Sequence, residues 1–459
     1  MYFAKYTFGA IVFLAKNILL ISVHFTKNTY ICKQKYWHNN TQIVMDKLFE
    51  RHDEYLSTTP MNYVRRFSEQ IDWSLQLVII KGPKGVGKST LMQQYIKMHF
   101  SPDDRHVLYC SADSSYFANH TLLDTAERFY RIGGRHLFID EVHKYENWSR
   151  EVKEIYDLHK DLHLVLSGSS LLQINDGQTD LSRRKVEYVM PGLSMREFLY
   201  MDCGIEIEPI SLEELLEAPN AYCNEVKKRC HPLEHFKRYL KYGYYPFYFE
   251  SRNAYQSRLE SVVNYIIDSE LTQFRGLEVG NVRKIKALLK VLSQMVPYEV
   301  DIAKLSKNIG IQRTTSLKYL YYLEEAALIR RLFTNIDSVG DLQKPDKILL
   351  DNSNLLYTIS DREPEIGTVR ETFFCNQLAS TGHRVEYGGL KTGDFRVDGE
   401  MVMEVGGRDK GFGQVKNEER AYVVADDIDS ATGIAGMLLP SGREAKLCKI
   451  PLWAFGFLY

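Results

Sequence analysis

Leu77-Val78-Ile79-Ile80-Lys81-Gly82-Pro83-Lys84-Gly85-Val86-Gly87-Lys88-Ser89-Thr90-Leu91-Met92 is the stretch from which the rest of the chain can be read. Four apolar residues, Leu77 to Ile80, predict a buried strand, and Leu91, Met92, Tyr95 and Ile96 recur at helical spacing. The turn between them is rich in glycine, so its backbone can curl until successive N–H groups converge on a phosphate. Lys88 adds a point charge toward the β and γ oxygens, and Ser89 offers a hydroxyl to Mg²⁺. The run Gly82, Pro83, Lys84, Gly85, Val86, Gly87, Lys88, Ser89 and Thr90 is therefore expected to cradle phosphate. It is a P-loop, or Walker A motif.

Downstream, His106 to Cys110 reads as a short buried strand and Thr121 to Tyr130 as an amphipathic helix. His136-Leu137-Phe138-Ile139-Asp140-Glu141 is then an apolar strand ending in two acids, the Walker B pattern. Asp140 is expected to help hold Mg²⁺ through water, and Glu141 to polarise the attacking water. Between Lys88 and Asp140 lie one helix, one strand and another helix. That additional strand sets the chain with ATPases carrying a catalytic Glu, apart from nucleotide kinases and GTPases. His143 and Trp148 read as packing and surface contacts.

A fourth strand, His163 to Leu166, ends in Ser167-Gly168-Ser169-Ser170. A polar side chain at that tip, beside the Walker B strand, would hold the lytic water or sense the γ-phosphate. Ser167 is the first choice and Ser169 the second, with a plain Ser/Gly turn as the competing reading. Leu181-Ser182-Arg183-Arg184 precedes a fifth strand, Val186 to Met190, and Pro191 to Phe198 opens a helix. Arg184 is the candidate for a cation that stabilises charge on the γ-phosphate, in its own or a neighbouring subunit; a solvated arginine is the alternative.

These four segments, from the Walker A run to Arg184–Phe198, resemble a family of bacterial and archaeal AAA+-like ATPases of uncharacterised function, and the resemblance extends from about Met45 to the C-terminus. It implies an AAA+-type parallel-sheet α/β core and ATP as the nucleotide. The family has Gly-Arg where this chain has Arg183-Arg184, so the choice between the two arginines stays open. Its Pro-Leu-Ser-Phe-x-Glu-Phe corresponds here to Gly192-Leu193-Ser194-Met195-Arg196-Glu197-Phe198.

With 459 residues the chain has room for about three domains. Its 58 basic and 59 acidic residues give a net charge of -1, so any attraction to nucleic acid must be local. Seven scattered cysteines with no Cys-x-x-Cys fit a reducing cytosol, and the expected location is cytoplasmic. Thr7 to Phe25 is apolar, but its central Lys16 costs about 3 kcal/mol against about 0.3 to 0.6 gained per strong apolar residue. It is a poor membrane span and lacks a signal-peptide cleavage site. Residues 1–44 are read as an extension ahead of a functional start at Met45, with no stable membrane association expected; a membrane anchor is the alternative.

After the ATPase region (45–200), residues 201–281 read as a helical connector, its Tyr239 to Pro246 turn resembling a Gly-Gly-x-Pro turn of the family. Residues 282–335 have the spacing of a winged helix-turn-helix. Its basic residues outnumber its acids, and Gln312, Arg313 and Thr315 would enter a DNA groove if it reads DNA; a packing module is the alternative. Residues 336–459 resemble the PD-(D/E)xK nuclease fold, with Asp394, Glu404 and a further carboxylate, Glu371. Gly406 stands where the lysine belongs, unless Lys391 or Lys410 substitutes, so a binding-only domain is the favoured reading. The closing run Ile450 to Tyr459 is expected to be a final strand. The expectation is a Mg²⁺-dependent ATP hydrolase, with a nucleotide-gated DNA-binding regulator or a DNA nuclease as rivals. A protein partner and homo-oligomers are further expectations.

Overall fold

The computed structural model describes residues 44–171, 181–295, 301–334, 340, 343–389, 392–416, 418–438 and 444–459. The expectations placed on residues 1–43 and on Lys391 lie outside them. Helix α1 spans residues 44–58. Five parallel strands follow: β1 (Leu77–Lys81), β2 (Val107–Ser111), β3 (His136–Asp140), β4 (His163–Ser167) and β5 (Val186–Val189), in the spatial order β2-β3-β4-β1-β5. The Walker A and Walker B strands thus flank β4. β1 is apolar from Leu77 to Ile80 because both its faces are covered: Val78 and Ile80 enter one buried cluster, Leu77 and Ile79 another. Helices α2 (Lys88–His99), α3 (Leu122–Arg131) and α4 (Trp148–Leu158) complete the layers.

Residues 61–65, though free of Gly and Pro, form an extended segment that ends in a short 3₁₀ turn, Arg66–Gln70. The reason is tertiary. Gln94 Nε2 donates to the carbonyls of Pro60 (2.7 Å) and Tyr63 (2.8 Å), and these carbonyls serve the fold in place of a helix.

Helix α5 (Met195–Cys203) closes the first domain, and the connector contains α6 (Leu212–Glu217), α7 (Pro219–Arg229), α8 (Pro232–Tyr242) and α9 (Tyr255–Tyr265). A π-helical turn, Ile266–Glu270, carries α9 into α10 (Leu271–Arg275). Then come α11 (Val279–Gln294), α12 (Ile302–Ile309), α13 (Arg313–Glu325) and the antiparallel pair β6 (Ile329–Leu332) and β7 (Lys347–Leu350). β7 pairs with β6 and also meets the C-terminal domain, where Lys347 pairs with Glu371.

Helices α14 (Ser353–Ile359) and α15 (Ile366–Ser380) precede a second sheet of β8 (Val385–Tyr387), β9 (Phe395–Val397), β10 (Met401–Gly406), β11 (Arg420–Ala425), β12 (Thr432–Leu438) and β13 (Glu444–Pro451). β8, β9 and β10 form an antiparallel meander, while β10, β11 and β13 run parallel. The closing residues are not a strand: β13 stops at Pro451 and Leu452–Phe457 coils into a 3₁₀ helix. Trp453, Ala454, Phe455 and Phe457 are all fully buried, whereas a strand would send successive side chains to opposite faces. The tail docks on the first domain, where Arg196 Nε donates to the Tyr459 carbonyl at 3.0 Å. No described helix is long and apolar enough to cross a membrane.

Candidate functional site

The predicted phosphate loop leaves β1 and enters α2 at Lys88, with Gly87 as the helix N-cap. Gly85 and Gly87 hold φ of +87° and +99°, a region that side chains strain to enter. Lys88 is buried, and its ammonium donates to the carbonyls of Gly82 (2.9 Å) and Pro83 (3.0 Å). Burial lowers its pKa, while Glu141, Asp140 and Glu270 hold it up.

At the tip of β3, Asp140 is buried between two hydroxyls, Tyr109 donating to Oδ2 at 2.7 Å and Ser167 to Oδ1. Glu141 is a non-glycine residue at φ +51°, ψ +40°, a left-handed conformation that costs roughly 1–2 kcal/mol. That twist is stabilised by its N–H donating to Ser167 Oγ at 3.0 Å. Its carboxylate faces Lys84 (3.9 Å) and His143 Nε2 (3.2 Å). Ser167 therefore spends its hydrogen on Asp140 and a lone pair on Glu141, which makes it a positioning contact.

Arg184 lies away from the phosphate loop of its own chain. It precedes β5 and pairs with Asp157 (3.0 Å) near the end of α4. Both positions lie at the N-terminal edge of a parallel sheet whose C-terminal edge carries the loop, so Arg184 takes no part in the site of its own chain.

Four contributors were not legible as such. His143, read as packing, accepts the Ser169 N–H on Nδ1 (3.3 Å) and turns Nε2 toward Glu141. Burial is the main force pulling its pKa down to about 4, so the ring is neutral at neutral pH, and with Nδ1 accepting, the proton sits on Nε2. Glu270 arrives from the π-turn, 101 residues beyond Ser169, whose hydroxyl donates to it at 2.6 Å. Arg65 donates to Glu197 (2.9 and 2.8 Å) and to carbonyls of Val86, Pro191 and Gly192, clamping the loop from below. The Tyr244–Pro246 turn, read as architecture, brings Phe247 over the loop: a Cβ on Gly85 would lie 2.9 Å from its ring. A cleft of about 480 Å³ between loop, residues 60–65 and residues 246–250 opens there. Only the Ser194-x-x-Glu197 capping box offered a local signal for any of these partners.

Ser89 and Asp140 supply a hydroxyl and a carboxylate, donors that suit a hard cation such as Mg²⁺. His143, protonated on Nε2, does not suit metal ligation.

A second cluster forms in the C-terminal sheet. Glu371 on α15 pairs with Lys347 at 2.7 Å, and Asp394 accepts the Val405 N–H at 2.8 Å. Burial, then the Asp394 and Glu404 charges, raise the Glu371 carboxyl to about 7 against the pull of Lys347. Glu404 is raised as well, by burial and Asp394, and Lys410 pairs with it. A Cβ on Gly406 would meet the Lys410 stem at 2.7 Å, so Lys410 fills the space over that glycine.

Residues 74–199 match a family model described as an AAA domain, and residues 233–364 one described as a domain of unknown function, DUF8612. Two uncharacterized proteins of Methanocaldococcus jannaschii are similar. MJ1637 is 23% identical over 60% of this chain and 60% of its own length, and MJ1544 is 22% identical over 55% and 56%. The chain thus spans less than two thirds of these relatives. Among solved structures, the S. cerevisiae Hsp104-ADP complex is 15% identical, covering 58% of this chain and 38% of that one, with a TM-score of 0.26. AMPPCP-bound DnaA from Aquifex aeolicus is 16% identical over 56% and 84%, with a TM-score of 0.24. The strand order and the phosphate loop give this part of the chain a P-loop NTPase fold, and its residues 74–199 are similar to the AAA domain family.

Proposed function

We propose that the chain is an ATP hydrolase that passes nucleotide state to its C-terminal domains. The observation that carries the reading is Glu141, twisted by a left-handed backbone at the tip of β3 so that its carboxylate faces the phosphate-loop lysine Lys84. Loop amides and Lys88 bind the phosphates, Ser89 and Asp140 hold Mg²⁺, and Glu141 accepts the proton of the attacking water. The magnesium ion, when bound, neutralises charge on the β and γ oxygens. His143 and Ser167 orient Glu141 and Asp140. Adenine as the base follows from the family resemblance.

Steady-state hydrolysis by wild type and Glu141→Gln tests this. Turnover abolished by the change, with MgATP binding retained, is the expected result. Binding without turnover in the wild type would instead make the chain a nucleotide-gated regulator. Residues 279–350 suit a winged helix, with Lys304, Lys307, Gln312 and Arg313 exposed around the start of α13, and DNA is the partner that surface fits.

One observation favours a second reading. Lys410 seated on Glu404 supplies the cation that Gly406 withholds, so the C-terminal domain is read as a metal-dependent nuclease with Glu371, Asp394 and Glu404 as the carboxylates. Mg²⁺-dependent nicking of supercoiled plasmid, lost in Glu404→Gln and Lys410→Ala, is its expected result; uncut plasmid refutes it.

A further inference from the structure

We propose that Glu270 is a carboxylate gate on the phosphate loop, competing with the terminal phosphate of a nucleoside triphosphate for Lys84 and thereby linking triphosphate binding to the connector. The proposal rests on the reading of the loop as a nucleotide site. Glu270 has a side chain only 1% exposed. Its Oε2 accepts the Ser169 hydroxyl at 2.6 Å. Its Oε1 has no hydrogen bond among the described residues and faces Lys84 Nζ at 3.6 Å.

A buried carboxylate with one unpaired oxygen depends on the nearest cation for its stability. That cation belongs to the loop that must receive phosphate. Lys84 is also enclosed by the Tyr265 ring, 4.4 Å from its nitrogen, and the Tyr265 hydroxyl accepts from Lys144 at 2.6 Å. Tyr265 and Glu270 bracket the π-turn, and no other part of the connector pairs with Lys84 in the described structure. A π-turn is an irregularity inserted in an α-helix, a form found mostly as a single turn and frequently at functional sites. A phosphate that takes Lys84 strands the Glu270 carboxylate, and the turn that carries it is the element free to move.

The same residues suggest a cation site, since ligand atoms of Glu141, His143 and Glu270 lie within 4.8 Å of one another. The His143 tautomer argues against it, because Nδ1 accepts from Ser169 and Nε2 presents a proton to the cluster.

The test uses the full chain, with calorimetric titration of MgATP and MgADP into wild type, Glu270→Gln, Lys84→Met and Lys84→Met/Glu270→Gln. Glutamine retains an acceptor for Ser169 and removes the charge. The expected result is MgATP affinity tightened about tenfold in Glu270→Gln with MgADP affinity little changed, and no tightening when Lys84 is already absent. Hydrogen exchange across residues 262–275 should respond to MgATP in wild type and respond less in Glu270→Gln. Unchanged MgATP affinity, or weaker binding as a lost metal ligand would give, overturns the gate. Should Glu270→Gln fail to fold, Glu270→Asp withdraws the carboxylate from Lys84 and must show smaller tightening of the same kind. Wild type that binds no MgATP overturns the nucleotide site and the gate together; binding that is lost in Lys88→Ala but indifferent to Glu270 overturns the gate alone.

Discussion

Arg65→Ala probes the clamp beneath the phosphate loop. The guanidinium makes two hydrogen bonds to Glu197 and three to the carbonyls of Val86, Pro191 and Gly192, with the two side chains 7% and 2% exposed. Removing one partner of a buried pair costs about 3–5 kcal/mol. Glu197 still accepts from the Ser194 N–H (3.0 Å) and the Tyr63 hydroxyl (3.1 Å), which places its stranding near the lower figure. Three carbonyls losing a donor add about 1 kcal/mol, giving a total of about 4 kcal/mol. For a domain of this size that lowers Tm by about 10 °C. Arg65→Met/Glu197→Leu leaves no buried charge; it still loses the three carbonyl bonds, about 1 kcal/mol, and adds the capping box, about 1 kcal/mol. The double variant should therefore melt above the single one. Thermal melts of the full chain measure the difference, and hydrogen exchange at residues 82–99 reports on the loop. A single variant melting within 2 °C of wild type, or a double variant no more stable than the single, refutes the clamp. The clamp also has a pH signature. Arg65 and its hydrogen bonds outweigh the large effect of burial and hold the Glu197 carboxyl below its ordinary 4.5. Its stabilisation is complete above about pH 4.5 and disappears as pH falls through the depressed folded value.

Gly85→Ala should weaken MgATP binding at least tenfold by titration, because φ of +87° strains any side chain and the new methyl meets Phe247 at 2.9 Å; Phe247→Ala in the same chain restores the space but not the backbone, so only partial recovery is expected. Glu371 has a folded pKa raised to about 7 from 4.5, so the folded protein binds the extra proton between those values and stability falls as pH rises through that window; denaturation midpoints from pH 4 to 8 should lose that slope in Glu371→Gln. Arg184→Ala removes a partly exposed pair with Asp157 and should cost about 1 kcal/mol or less, with ATP turnover within twofold of wild type; a tenfold loss would mark the arginine as acting on a neighbouring subunit.

Local order carried far along this chain. A run of four apolar residues, three glycines and Lys88-Ser89 can make few structures other than strand, curled turn and helix, because the constraints are backbone conformations and helical periodicity written within some twenty residues. The Asp140-Glu141 strand and its place beside the His163–Leu166 strand were legible for the same reason. What sits around those elements was not. Glu270 reaches Ser169 across 101 residues, Arg65 reaches Glu197 across 132, and Lys410 leans back over Gly406 from outside the strand that carries it. Arg184 looked available from sequence alone and was sent to the far edge of the sheet by the direction of β5. Side-chain burial and ion pairing between distant segments depend on how the layers stack, and only the assembled fold decides which charge faces which.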